Sequence, residues 1–159
     1  MQKNVETVEN FVARYGGIYE HSDWVAKAAF PSGTNDIVAT MRAIVEAAGH
    51  EAQLALLRAH PDLAGKLAKS GDLTIESTSE QASAGLDQCS QSEFEEFTAL
   101  NTAYKTRFGF PYILAVKGRD KAEILENFRS RLNNSVDQEF RQALDQVHQI
   151  AKLRLDALQ

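Results

Sequence analysis

Residues 135–158, "SVDQEFRQALDQVHQIAKLRLDAL", set how the rest of the chain is read. Phe140, Leu144, Val147, Ile150, Ala151 and Leu155 recur every three or four positions, the period of one helical face. Ser135 and Gln138 stand at capping-box spacing, so a long amphipathic helix opens here.

The same period runs through most of the sequence. Asn4 is placed to cap a first helix bearing Val5, Val8, Phe11 and Val12, which Gly16-Gly17 stops. Ser22 precedes a short helix with Trp24, Val25, Ala28 and Ala29, ended by Pro31-Ser32-Gly33. After Thr34, a stripe of Ile37, Met41, Ile44, Val45 and Ala48 faces a core, with Gly49 suited to the C′ position. A helix through Leu54, Leu56 and Leu57 then runs up to His60.

Residues 70–81 read as a loop, with Ser77-x-x-Glu80 as the capping box of the helix that follows. Ser92-x-x-Glu95 marks the start of a helix bearing Phe94, Phe97, Leu100, Tyr104 and Phe108, which Gly109 stops. Asp120-x-x-Glu123 opens another, with Ile124, Leu125, Phe128 and Leu132. Only the apolar run after Pro111 looks extended. The pattern predicts an all-α chain, a single compact helical domain over 1–159. It should hold about seven to nine helices and one short extended segment near 111–117.

Composition narrows the function classes. Apolar residues make up 43% of the 159 and charged residues 25%, as in a folded globular chain. A net charge of −5 leaves no basic stripe for nucleic acid. No apolar run is long enough to span a bilayer and the N-terminus lacks an apolar signal core, so a cytoplasmic protein is expected. Cys89, the single cysteine, sits in the polar run "DQCSQS" with no histidine nearby, a poor setting for a nucleophile. The four histidines show no ExxH or HxxxH spacing, so no metal site is expected. His21 and His50 lie beside helix ends, and His148 falls on the polar side of the last helix. Gly16 to Glu20, "GGIYE", has no phosphate-loop pattern and reads as a tight connection.

Residues 56–67, "LRAHPDLAGKLA", hold the most suggestive side chain. Proline disfavours helix in the residue before it and fits the first turn of a helix after it. His60 therefore sits at a junction, with Asp62 in the first turn of "PDLAGKLAK". A histidine there either interacts with the last helical carbonyls or acts as a general acid or base. Glu80 is either the third residue of its capping box or a carboxylate that orients a histidine. Arg154, among apolar positions, either snorkels outward or binds an anion through its planar fork.

Taken together, "FVARYGGIYEHSDW", "LRAHPDLAGKLA", "STSEQASAGLD", "FTALNTAYKTRFGFPYILAVKG" and "IAKLRLDAL" resemble one family across nearly the whole chain. It is the 2-oxo-4-hydroxy-4-carboxy-5-ureidoimidazoline (OHCU) decarboxylases, which act on the route from urate to allantoin. The sequence departs from the family at Asp23, where proline is common, and at Tyr112, where phenylalanine is. The resemblance implies that His60 is the proton donor, Glu80 its acidic partner, and Arg154 the group that binds polar or anionic parts of the substrate. It also implies substrate contacts from Pro61, from a loop of Ser77, Thr78, Ser79, Glu80 and Gln81, and from Tyr112, Ile113, Leu114, Ala115 and Val116. No cofactor and no metal are implied, and a homodimer is. Two rivals stand beside this reading: a non-catalytic helical binding module, and a hydrolase acting on a ureide. CO2 release against ring-opened product separates decarboxylation from hydrolysis.

Overall fold

The computed structural model describes residues 6–32, 35–65 and 73–158. Among them it has eight α-helices and no strand, so the chain is all-α. The helices are α1 (Val8–Tyr15), α2 (Trp24–Ala29), α3 (Ile37–Ala47), α4 (His50–Arg58), α5 (Ile75–Ser83), α6 (Gln91–Phe108), α7 (Lys121–Arg131) and α8 (Val136–Leu158). A single 3-10 turn, Phe30–Ser32, follows α2. No helix among the described residues is long and apolar enough to cross a membrane.

Two compact units emerge, one drawn from residues 1–59 and 148–159, the other from 60–147. In the first, α2 packs against both α1 and α3. Phe11, Val25, Ala29, Met41, Val45, Leu56 and Leu57 are buried there. In the second, α6 packs against α7. Its core is aromatic: Phe97, Tyr104, Phe108, Phe110, Tyr112 and Phe128 are all buried. The Tyr112 and Phe128 rings stack with centroids 3.8 Å apart and planes 8° from parallel.

Several helix starts differ from the sequence expectation, each for a local reason. Asn4 and Thr34 lie outside the described residues; α1 is capped by Thr7, whose hydroxyl accepts from the Asn10 amide at 3.1 Å. Ser22 does not cap α2. Its hydroxyl turns back to the Glu20 carbonyl, and Asp23 takes the N-cap place without a side-chain bond. Helix α5 begins at Ile75, with Thr74 as its cap accepting from the Ser77 amide. Residues 75–81 are thus helix rather than loop, and Glu80 lies inside it, not in a capping box. Ahead of α6 the sequence holds two overlapping Ser-x-x-Glu patterns, and the earlier one, Ser90 with Glu93, forms both reciprocal bonds. The expected start does form at α7, where Asp120 caps the helix by accepting from the Glu123 amide, and at α8 Ser135 and Gln138 bond reciprocally. Gly109 ends α6 in the left-handed region, as its type allows.

One charged cluster is sunk into the second unit. Glu139 has no solvent exposure, and its Oε1 accepts from Tyr104 Oη at 2.6 Å and Arg131 Nε at 2.8 Å. Asn134 Nδ2 donates to the other oxygen at 2.9 Å. Burial, reinforced by the Glu139 bond, pushes the Tyr104 phenol far above its ordinary pKa, so Tyr104 stays a donor. Removing one partner strands a buried charge, which costs more than the pair itself contributes. Arg131→Met should therefore lower unfolding free energy by about 3–5 kcal/mol. A urea titration with unchanged slope checks this; a loss near zero contradicts it.

Candidate active site

The turn after α4 carries His60. His60 is buried, 8% exposed, as are Leu63 and Ala64. Residues 61–65 do not form the first turn of a helix, and Ala64 has φ of 51°, in the left-handed region. The reason is tertiary: side chains from two other helices hold this backbone. Gln81 on α5 accepts from the Ala64 amide at 2.9 Å and donates to the Asp62 carbonyl at 3.2 Å. Asn101 on α6 donates to the Leu63 carbonyl at 3.0 Å, and Lys105 pairs with the Asp62 carboxylate at 2.8 Å. A Cβ on Gly65 would meet the Asp62 Cβ at 2.8 Å, so only glycine fits the turn's close approach. Asp62 is thus a tether point, not a helix N-terminal carboxylate.

Helix α5 presents Ser77, Glu80 and Gln81 at positions i, i+3 and i+4, one face of a helix. Ser77 and Gln81 are buried and Glu80 is half-buried. Thr78 and Ser79 are exposed, off that face, and the Thr78 hydroxyl donates to the Thr74 carbonyl at 2.8 Å. The segment expected as a loop is therefore helix, with Ser77, Glu80 and Gln81 on one face and Thr78 and Ser79 off it. Because Gln81 grips the turn, its neighbour Glu80 is carried on a helix fixed to the segment that holds His60.

Residues 111–116 are irregular and fully buried. Tyr112 is anchored by its ring stacking on Phe128, by the Arg131 guanidinium over that ring at 4.6 Å from its centroid, and by its hydroxyl donating to Asn127 at 2.5 Å. Main-chain bonds fix the rest. The Ile113 carbonyl accepts from Arg131 Nη1 at 2.6 Å, and the Ala115 amide donates to Gln146 at 2.9 Å. The Ala115 carbonyl accepts from Arg119 Nε at 3.2 Å, and the Val116 carbonyl from the Arg119 amide at 3.0 Å. The side chains of Ile113, Leu114, Ala115 and Val116 are buried.

Arg154 lies in the first unit and is buried, 8% exposed, which excludes the snorkelling alternative. Its Nη1 donates to the Gly17 carbonyl at 2.9 Å and its Nη2 to Glu20 Oε2 at 2.7 Å. Glu20 is itself 1% exposed, so this is a buried charge pair at the end of the segment expected to be a plain connection. Its only trace in the sequence is an acidic residue following an apolar pair. His148 is also buried, not on a polar face: its Nδ1 meets Tyr19 Oη at 2.8 Å and its Nε2 meets Glu46 at 3.2 Å. No group of three His, Cys, Asp or Glu among the described residues is arranged to hold a metal.

Comparison with known proteins agrees with this assembly of motifs. The family model for OHCU decarboxylase matches residues 4–156. The 2-oxo-4-hydroxy-4-carboxy-5-ureidoimidazoline decarboxylase of Haloferax volcanii is 45% identical over 151 residues, covering 92% of this chain and 88% of its own. That of Halalkalicoccus jeotgali is 41% identical over 154 residues, covering 94% and 85%. A crystal structure of OHCU decarboxylase in the presence of (S)-allantoin superimposes with a TM-score of 0.72 at 27% identity, covering 89% of this chain and 94% of that one. A match of this length and identity leaves one conclusion: the chain belongs to the OHCU decarboxylase family.

Proposed function

We propose that the chain decarboxylates 2-oxo-4-hydroxy-4-carboxy-5-ureidoimidazoline to (S)-allantoin, with His60 as proton donor and Glu80 as its acidic partner. Residues 1–159 act as one domain in this reading, supported by a family match that runs from 4 to 156. The observation that carries the assignment of His60 is its burial on a turn that four side-chain bonds from α5 and α6 hold, three of them to its main chain. A helix-end histidine that served only the helix dipole would need no such framing.

The substrate supplies its own electron sink. Its carboxylate leaves a ring carbon adjacent to a C=N group. As the carbon–carboxylate bond breaks, CO2 departs and the bonding pair flows into that imine. The protein must then hold the anion, keep the carboxylate out of the ring plane, and protonate one face of the ene intermediate. His60 gives that proton, and Glu80 orients the imidazole and stabilises its charged form. Delivery from one side sets the S configuration.

Arg154 binds polar or anionic substrate groups. Glu20 Oε2 and the Gly17 carbonyl each accept from its fork, which aims the guanidinium and offsets its charge. Pro61, the α5 face and the backbone of Tyr112 to Val116 complete the contacts in this reading. It also takes the enzyme as a cytoplasmic homodimer.

His60→Asn, folded and assayed with substrate generated in place from urate, should lose about 10²–10⁴-fold in turnover, the range a positioned general acid contributes. Full activity in that variant would remove the proton-donor role. Arg154→Lys keeps the charge and loses the fork, and should raise the apparent KM by about tenfold, the scale of one charge-assisted hydrogen bond. An unchanged KM would count against substrate binding by Arg154.

A further inference from the structure

Asn101 has no part in the roles assigned so far, yet its setting is unusual for a residue that only fills space. It is 4% exposed on α6, and its Nδ2 donates to the Leu63 carbonyl at 3.0 Å. Its Oδ1 is buried with no hydrogen-bond partner among the described residues. Turning the amide over would set that oxygen against the Leu63 carbonyl, so the observed orientation is the one the bond requires. A side chain kept for packing would be apolar here, since an unsatisfied buried acceptor carries a desolvation cost. The donated bond is what the asparagine supplies.

Lys105, one turn further along α6, reaches the same turn from the same face, with Nζ 2.8 Å from Asp62 Oδ2. The two anchors fall on consecutive residues, two and three positions after His60. They hold the chain just before Ala64, whose left-handed φ of 51° is a strained state that persists only when its surroundings fix it.

We infer that Asn101, with Lys105 one turn on, is a positioning residue for His60: the pair fixes the path of the Asp62–Leu63 backbone and so the place of the imidazole. Neither residue touches the reacting atoms. This rests on the reading of His60 as proton donor, and the experiment separates the two.

The full chain is compared with Asn101→Asp, which keeps the shape but turns the donor into an oxygen facing the Leu63 carbonyl. Lys105→Met, which keeps the apolar stem, is the second variant. Turnover of Asn101→Asp should fall at least about tenfold with KM within about threefold, the signature of a group that matters in the transition state. Lys105→Met should lose about two- to threefold in turnover, as a half-exposed ion pair allows. The ring resonance of His60, assigned by its absence in His60→Asn, should move or broaden in Asn101→Asp while that of exposed His21 stays. A purely structural Asn101 would lower thermal stability without moving that resonance. Wild-type turnover in folded Asn101→Asp, or reduced turnover with an unmoved His60 resonance, overturns the inference. Should Asn101→Asp not fold, Lys105→Met decides, and wild-type turnover with an unmoved resonance overturns it. An inert His60→Asn beside a normal Asn101→Asp defeats this inference alone; an active His60→Asn defeats the proton-donor reading itself.

Discussion

A buried turn must satisfy its main-chain groups without water, and here Gln81 and Asn101 do so for residues 62–64. That constraint governs the second unit. It holds Ala64 in a left-handed conformation and demands glycine at 65, so residues 61–65 do not take the helical turn that Pro61 would favour. Both amide atoms of Gln81 are committed to the turn, so α5 cannot slide along it without losing two bonds. Glu80 inherits its position from its neighbour. In the proposed mechanism the place of His60 thus depends on the side-chain amides of Gln81 and Asn101.

The charges of the chain follow a common plan, in which buried cations have carboxylate partners close at hand. Arg131 lies against Glu139, and Arg154 against Glu20, with each acid almost fully enclosed. In a low-dielectric setting such pairs rigidify the arginine fork more than they stabilise the fold. Arg131 spends one further N–H on the Ile113 carbonyl, tying the ion pair to the irregular 111–116 segment. That segment stays irregular because side-chain partners from α7 and α8 and the Arg119 region replace ladder or helix bonds. Irregular backbone of this kind can offer main-chain groups to a planar ureido ligand, which a helix could not.

Much of this was legible in the sequence and some was not, for physical reasons. The three-and-four spacing of apolar residues located the helices well, and Gly49 and Gly109 marked ends because positive φ there suits glycine. Capping was read less accurately where patterns overlapped. Ser90 and Ser92 both have a glutamate three residues on, and only the fold selects between them. Thr74 displaced the Ser77 box in the same way. Helical spacing puts His148 on a polar face because its partners, Tyr19 and Glu46, lie far away in sequence. Glu20, Asn101 and Glu139 share that character: each matters through a contact with a distant residue. The roles of His60, Glu80 and Arg154 came from the family resemblance, since spacing alone left each with an ordinary alternative.

In the proposed mechanism His60 delivers a proton to one face of a decarboxylated intermediate. Circular dichroism of allantoin formed in place from urate and the two upstream activities reads that step. The wild-type chain should give a clear excess of the S enantiomer, and His60→Asn the racemate of spontaneous decay. A racemic product from the wild-type chain, or an undiminished S excess from folded His60→Asn, would contradict that mechanism.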